Sequence, residues 1–157
     1  MCSCNSILPY LLCLSSPDNG FGGWRPSCPD GWTMFSTRCL LYVPNNKTWA
    51  QAEQHCKSMT GNLASVINTE YSDQIKKVMQ SAGQQSKQIW VGGYNTPEDQ
   101  EGSWSWIDPW FHGFYHWCTE EHKNHCLQLT FEENASGCLD DMQCDAELPS
   151  VCSIVIM

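Results

Sequence analysis

Residues 48–65 read TWAQAEQHCKSMTGNLAS, and this stretch decides how the rest of the chain is understood. Trp49, Ala52, Cys56 and Met59 recur at spacings of three and four, which places them on one face of an α-helix. Thr48 and Gln51 have the spacing of a capping box, so the helix start has side chains for its orphan N–H groups, and Gly61 supplies the stop. Cys56 therefore faces a core.

Moving outward, a second helix is predicted from about Thr69 to Gln80, with Tyr71, Ile75, Val78 and Met79 as its apolar stripe and Gly83 past its end. Upstream, Cys28 and Cys39 flank a Pro-Asp-Gly-Trp turn followed by Thr33 to Arg38, a pattern that reads as a small hairpin. Downstream the period changes. Ile89–Val91, Trp104–Trp106, Leu127–Thr130 and Val151–Ile154 read as short strands between Gly, Pro and acidic turns. The fold class is α+β, with two helices packed on small antiparallel sheets and a long irregular loop region from Thr96 to His125. Residues 1–26 read as a leader or signal-like segment with a linker, and residues 27–157 as one domain.

Composition narrows the function. A net charge of −9 opposes binding to nucleic acid, because phosphate affinity rests on clustered Lys and Arg. No apolar run approaches the ~20 residues of a membrane span. Eleven cysteines are too many for a reduced compartment, and eight of them (Cys28, Cys39, Cys56, Cys118, Cys126, Cys138, Cys144, Cys152) lie in one block. That even set reads as a disulfide framework of a secreted, extracellular protein, with Cys2, Cys4 and Cys13 outside it. No Cys-x-x-Cys pair supports zinc instead.

The order of these features resembles the C-type lectin-like domain, over about Cys28 to Ile154. The residues that carry the resemblance begin with Cys28-Pro-Asp-Gly-Trp32, Trp49 with Ala52 and Cys56, Leu63-Ala64-Ser65, and Trp90-Val91-Gly92-Gly93. They continue with Trp104-Ser105-Trp106, Trp117-Cys118, Cys126-Leu127-Gln128-Leu129, Asp140-Asp141, Cys144 and Cys152. The resemblance implies bridges Cys28–Cys39, Cys56–Cys152 and Cys126–Cys144. Cys118 and Cys138 look like the additional pair of fish secreted lectins and type II antifreeze proteins. It also implies a non-enzymatic recognition role, and no nucleophile motif argues otherwise.

In sugar-binding members, oxygen side chains hold a calcium ion that bonds the sugar. Here Asp140-Asp141 stand where an Asn-Asp pair belongs, with Leu139 in place of the usual tryptophan, and the segment between Cys118 and Cys126 lacks the sugar-specifying proline tripeptide. Glu120, Glu121 and Asn124 can offer oxygens to a cation shared with Asp140 and Asp141, so Ca2+ is a possible cofactor. The alternative is a solvated acidic loop, which calcium's demand for six or more oxygens favours. His112, His116, His122 and His125 crowd the same region and raise zinc as a further alternative. Trp104, Trp106 and Trp117 match core tryptophans of the family, whereas Trp110 and Phe111 replace a small polar turn and are candidates for ligand contact.

The ligand-binding expectation is thus a face of Glu120, Glu121, Asn124, Asp140, Asp141, Trp110 and Phe111. The expected partner is a glycan or glycoprotein, with an ice surface or a protein as alternatives. Asn46 and Asn134 head glycosylation sequons.

Overall fold

The computed structural model describes residues 27–96, 103–131 and 137–156. The leader-like segment with Cys2, Cys4 and Cys13, and the Asn134 sequon, lie outside the described residues. A short hairpin opens the domain, with β1 at Thr33–Met34 and β2 at Arg38–Lys47. Helix α1 (Trp49–Ser58), β3 (Asn62–Leu63) and helix α2 (Thr69–Ser81) follow. The second half is strand and loop: β4 (Gln88–Tyr94), β5 (Ser105–Trp106), β6 (Cys126–Thr130), β7 (Cys138–Met142) and β8 (Leu148–Val155).

Both helices begin as the sequence predicts. Gln51 N donates to Thr48 Oγ1 and Thr48 N donates to Gln51 Oε1, which completes the capping box. Asn68 caps α2 by accepting from Tyr71 N at 2.9 Å. The α1 face that turns inward carries Ala52 and Cys56, and also Glu53, a charge the apolar pattern gives no sign of. Its carboxylate accepts from Leu63 N at 2.8 Å and from Asn62 Nδ2 at 2.6 Å, so it satisfies the β3 backbone that the helix covers.

The strands run β1-β2-β8-β4-β6-β7, with β3 on β8 and β5 on β4. The sheet is not wholly antiparallel as expected: β8 inserts between β2 and β4, antiparallel to the first and parallel to the second at Trp90 and Ser150. The chain between them, which carries the long loop and strands β5, β6 and β7, supplies the crossover that a parallel pair needs. Leu40, Leu63, Ile75, Ile89, Val91, Leu127, Leu129 and Leu139 fill the core, each contributing about 1.5–3 kcal/mol by burial. The indole N–H groups are paired as well, Trp49 to Val91 O and Trp90 to Lys47 O, both at 2.8 Å.

Four disulfides cross this frame: Cys28–Cys39, Cys56–Cys152, Cys118–Cys138 and Cys126–Cys144. They are the pairs that the resemblance implies. The first closes the hairpin, the second ties α1 to β8, and the last two fasten the 118–126 segment to β7 and the residues after it.

Candidate functional site

The acidic face separates into two unlike parts. Residues 116–118 lie alongside β7, with Cys118 N donating to Leu139 O at 2.8 Å and Leu139 N donating to His116 O at 2.7 Å. This brings the following loop over Asp141. One carboxylate oxygen, Asp141 Oδ2, accepts from Lys123 N at 2.9 Å, Asn124 N at 2.7 Å and Asn124 Nδ2 at 2.9 Å. Partial burial acts to raise the Asp141 pKa, and the bonds from Asn124 and Lys123 outweigh it, so the pKa lies below the ordinary value. Asp140 shifts the other way, raised by partial burial and then by the charge of Asp141.

Glu120 and Glu121 are exposed and do not join this pair. Among the described residues, no three His, Cys, Asp or Glu side chains group as a metal site. Three N–H donors converge on Asp141 Oδ2, so this oxygen is already engaged within the protein. The acidic loop is latched by Asp141.

The histidines part in the same way. His112 and His116 are exposed, and His125 Nδ1 meets Asn95 Oδ1 at 2.5 Å. His122 packs its ring between Trp117, at 4.3 Å, and Trp104, at 5.8 Å. These positions offer no common metal point.

The aromatic residues do come together. Trp106 stacks on Phe114 with ring centroids 4.7 Å apart, and Phe114, Trp117 and Trp104 continue the pile. Trp106 Nε1 donates to Gly113 O at 2.7 Å, and Gly113 takes a φ of 89°, which a side chain would resist. Beside this pile opens a cleft of ≈ 340 Å³ walled by Tyr94, Trp104, Trp106, Phe111, His112 and Phe114. Ser105, Pro109 and Gly113 complete its lining.

The loop that makes the far wall is set by Asp108, a buried acid. Its side chain accepts from Trp110 N at 3.1 Å and its carbonyl from Phe111 N at 3.3 Å, a tight turn that sends neighbouring side chains apart. Phe111 turns in, edge-on to Tyr71 at 5.8 Å. Trp110, between lining residues Pro109 and Phe111, stays 70% exposed. Behind Tyr71 lies the Arg38 guanidinium, 4.0 Å from the ring and 0% exposed, bonded to Gln74 Oε1 and Ser65 O. Burial pulls its pKa down to about 10. Of the expected contact residues, Trp110 and Phe111 belong to this cleft region, and Glu120, Glu121, Asn124, Asp140 and Asp141 are not among its lining. Tyr94 is missed by the sequence reading, although an aromatic at the end of a Gly-Gly strand, just before a long loop, is a usable signal.

The model of the lectin C-type domain matches residues 45–154. The chain belongs to the C-type lectin domain family. A type-2 ice-structuring protein of Hemitripterus americanus is 34% identical over 133 residues, covering 82% of this chain and 76% of that protein. Ladderlectin of Oncorhynchus mykiss is 28% identical over 131 residues, covering 80% of this chain and 67% of the relative. Among solved structures, a calcium-independent type II antifreeze protein superposes with a TM-score of 0.72 at 29% identity, covering 85% of this chain and 99% of the other. This C-type lectin domain thus shares its frame with relatives named for lectin and for antifreeze activity.

Proposed function

We propose that this domain is a secreted recognition protein that binds carbohydrate in the aromatic cleft, without calcium in the site and without turnover of the ligand. The observation that carries the reading is the ≈ 340 Å³ cleft lined by aromatic rings, with the exposed Trp110 beside lining residues Pro109 and Phe111 in the chain. Its size falls in the range of small-ligand pockets, about 300–1,000 Å³. Aromatic faces suit the C–H face of a sugar ring, and a tryptophan left in water on a rigid turn is costly to keep unless it meets a partner.

Secretion is supported by the four disulfides, which persist in oxidising compartments. Among the described residues, no helix is long and apolar enough to cross a membrane. The exposed Asn46 places its sequon where a glycan can attach. Independence from calcium is supported by the three N–H groups that load Asp141 Oδ2.

A glycan array run with calcium and again with chelator tests the reading, using the native protein and Trp110→Ala. Binding should persist in chelator and fall severalfold in the variant, as for an aromatic contact beside the site. Binding that vanishes with chelator would return the site to the acidic loop. A silent array with thermal hysteresis in the same sample would select ice, and a silent array with capture of a protein through Trp110 would select a protein partner.

A further inference from the structure

We infer that the cleft selects uncharged sugar rings and rejects those bearing a carboxylate or sulfate, an inference that rests on the carbohydrate reading above. Among the described residues, the lining contains no Lys, Arg, Asp or Glu. The polar lining residues are Tyr94, Trp104, Ser105, Trp106 and His112, whose side chains carry uncharged donors and acceptors of the kind that match hydroxyls and amides.

The surroundings sharpen the choice. Among the described residues from 88 onward there are seven acidic side chains and one basic one, Lys123, and the whole chain carries a net charge of −9. Lys123 is not among the residues that line the cleft, and its backbone N–H is held by Asp141. The buried cation Arg38 is not among the cleft's lining residues, and its guanidinium lies over the Tyr71 ring and bonds Gln74 and Ser65. An anionic sugar would lose water without gaining a cationic partner, and it would enter a field of its own sign. A neutral ring meets neither cost.

Matched pairs isolate this effect. Methyl glucoside against methyl glucuronide, and methyl galactoside against methyl galacturonide, differ only in oxidation at C6. Each is titrated into the native protein in the same buffer at low ionic strength. The readouts are saturation-transfer NMR and intrinsic tryptophan fluorescence.

Neutral glycosides should bind about tenfold or more tightly than their uronates, with the gap narrowing at high salt. A second arm uses Ser105→Lys, an exposed lining position, which should bring the uronates close to the neutral sugars. Uronates bound as well as the neutral rings by the native protein would overturn the charge selection and leave carbohydrate binding standing. A Ser105→Lys variant that still rejects uronates would overturn the electrostatic cause. No binding of any sugar, neutral or acidic, would overturn both this inference and the carbohydrate reading.

Discussion

Asp140 and Asp141 are adjacent, equally acidic by composition, and opposite in behaviour. The Asp141 pKa is held low by donors from the loop, so its stabilisation is full above the ordinary aspartate value of about 4 and is lost as pH falls through the lowered folded value. The Asp140 pKa is raised, so its contribution is greatest below about 4 and is lost as pH rises through its folded value. At neutral pH Asp141→Asn should therefore cost about 1 kcal/mol, discounted for solvent screening, while Asp140→Asn should be neutral or slightly stabilising. Urea melts of the two variants at neutral pH check the signs, and equal effects would refute the division. Trp110→Ala should leave the melting point nearly unchanged, because the side chain is 70% exposed and little burial is lost. The Asp pair was legible in the sequence as a special position, yet its partner was not: which N–H groups reach Asp141 depends on how a loop seventeen residues away docks.

Elements were legible where local signals agreed. Both helices announced themselves by their period, α1 also by its capping box and α2 by Gly83 past its end, and β6 and β8 by their apolar runs. Strand β7 did not, because Asp140, Asp141 and the neighbouring Gly137 oppose strand propensity, and pairing with β6 overrides them. The length of β2 was hidden by Pro44 and the two asparagines after it, where the register with β8 shifts. Close packing between elements yields a sharp test at Gly92. A Cβ there would sit 2.6 Å from Leu63 O and 2.9 Å from Ile107 Cγ2, and the first is backbone held by the β3–β8 pairing. Gly92→Ala should cost about 2–3 kcal/mol, measured by denaturant titration; an unchanged midpoint would show that β3 can give way.

For the whole molecule, the bridges and the core should carry stability without a metal. Adding chelator should move the melting point by less than about 2 °C, since an ion stabilises only in proportion to its binding to the native state. A fall of about ten degrees would reveal a bound cation. The Cys56→Ala/Cys152→Ala double variant should lose about 4–5 kcal/mol, because that bridge spans 96 residues, and near-UV circular dichroism at 37 °C should report an unfolded chain. That same span sets a timetable for the chain as it is made. Strand β2 pairs with β8, and Cys56 bonds Cys152, so the centre of the sheet waits for the last strand to emerge. At ribosomal rates of about 5–20 residues per second, Cys56 stays without its partner for roughly 5–20 s. During that interval its thiol is open to exchange with other cysteines, and the nascent domain depends on chaperones and disulfide isomerases until β8 arrives.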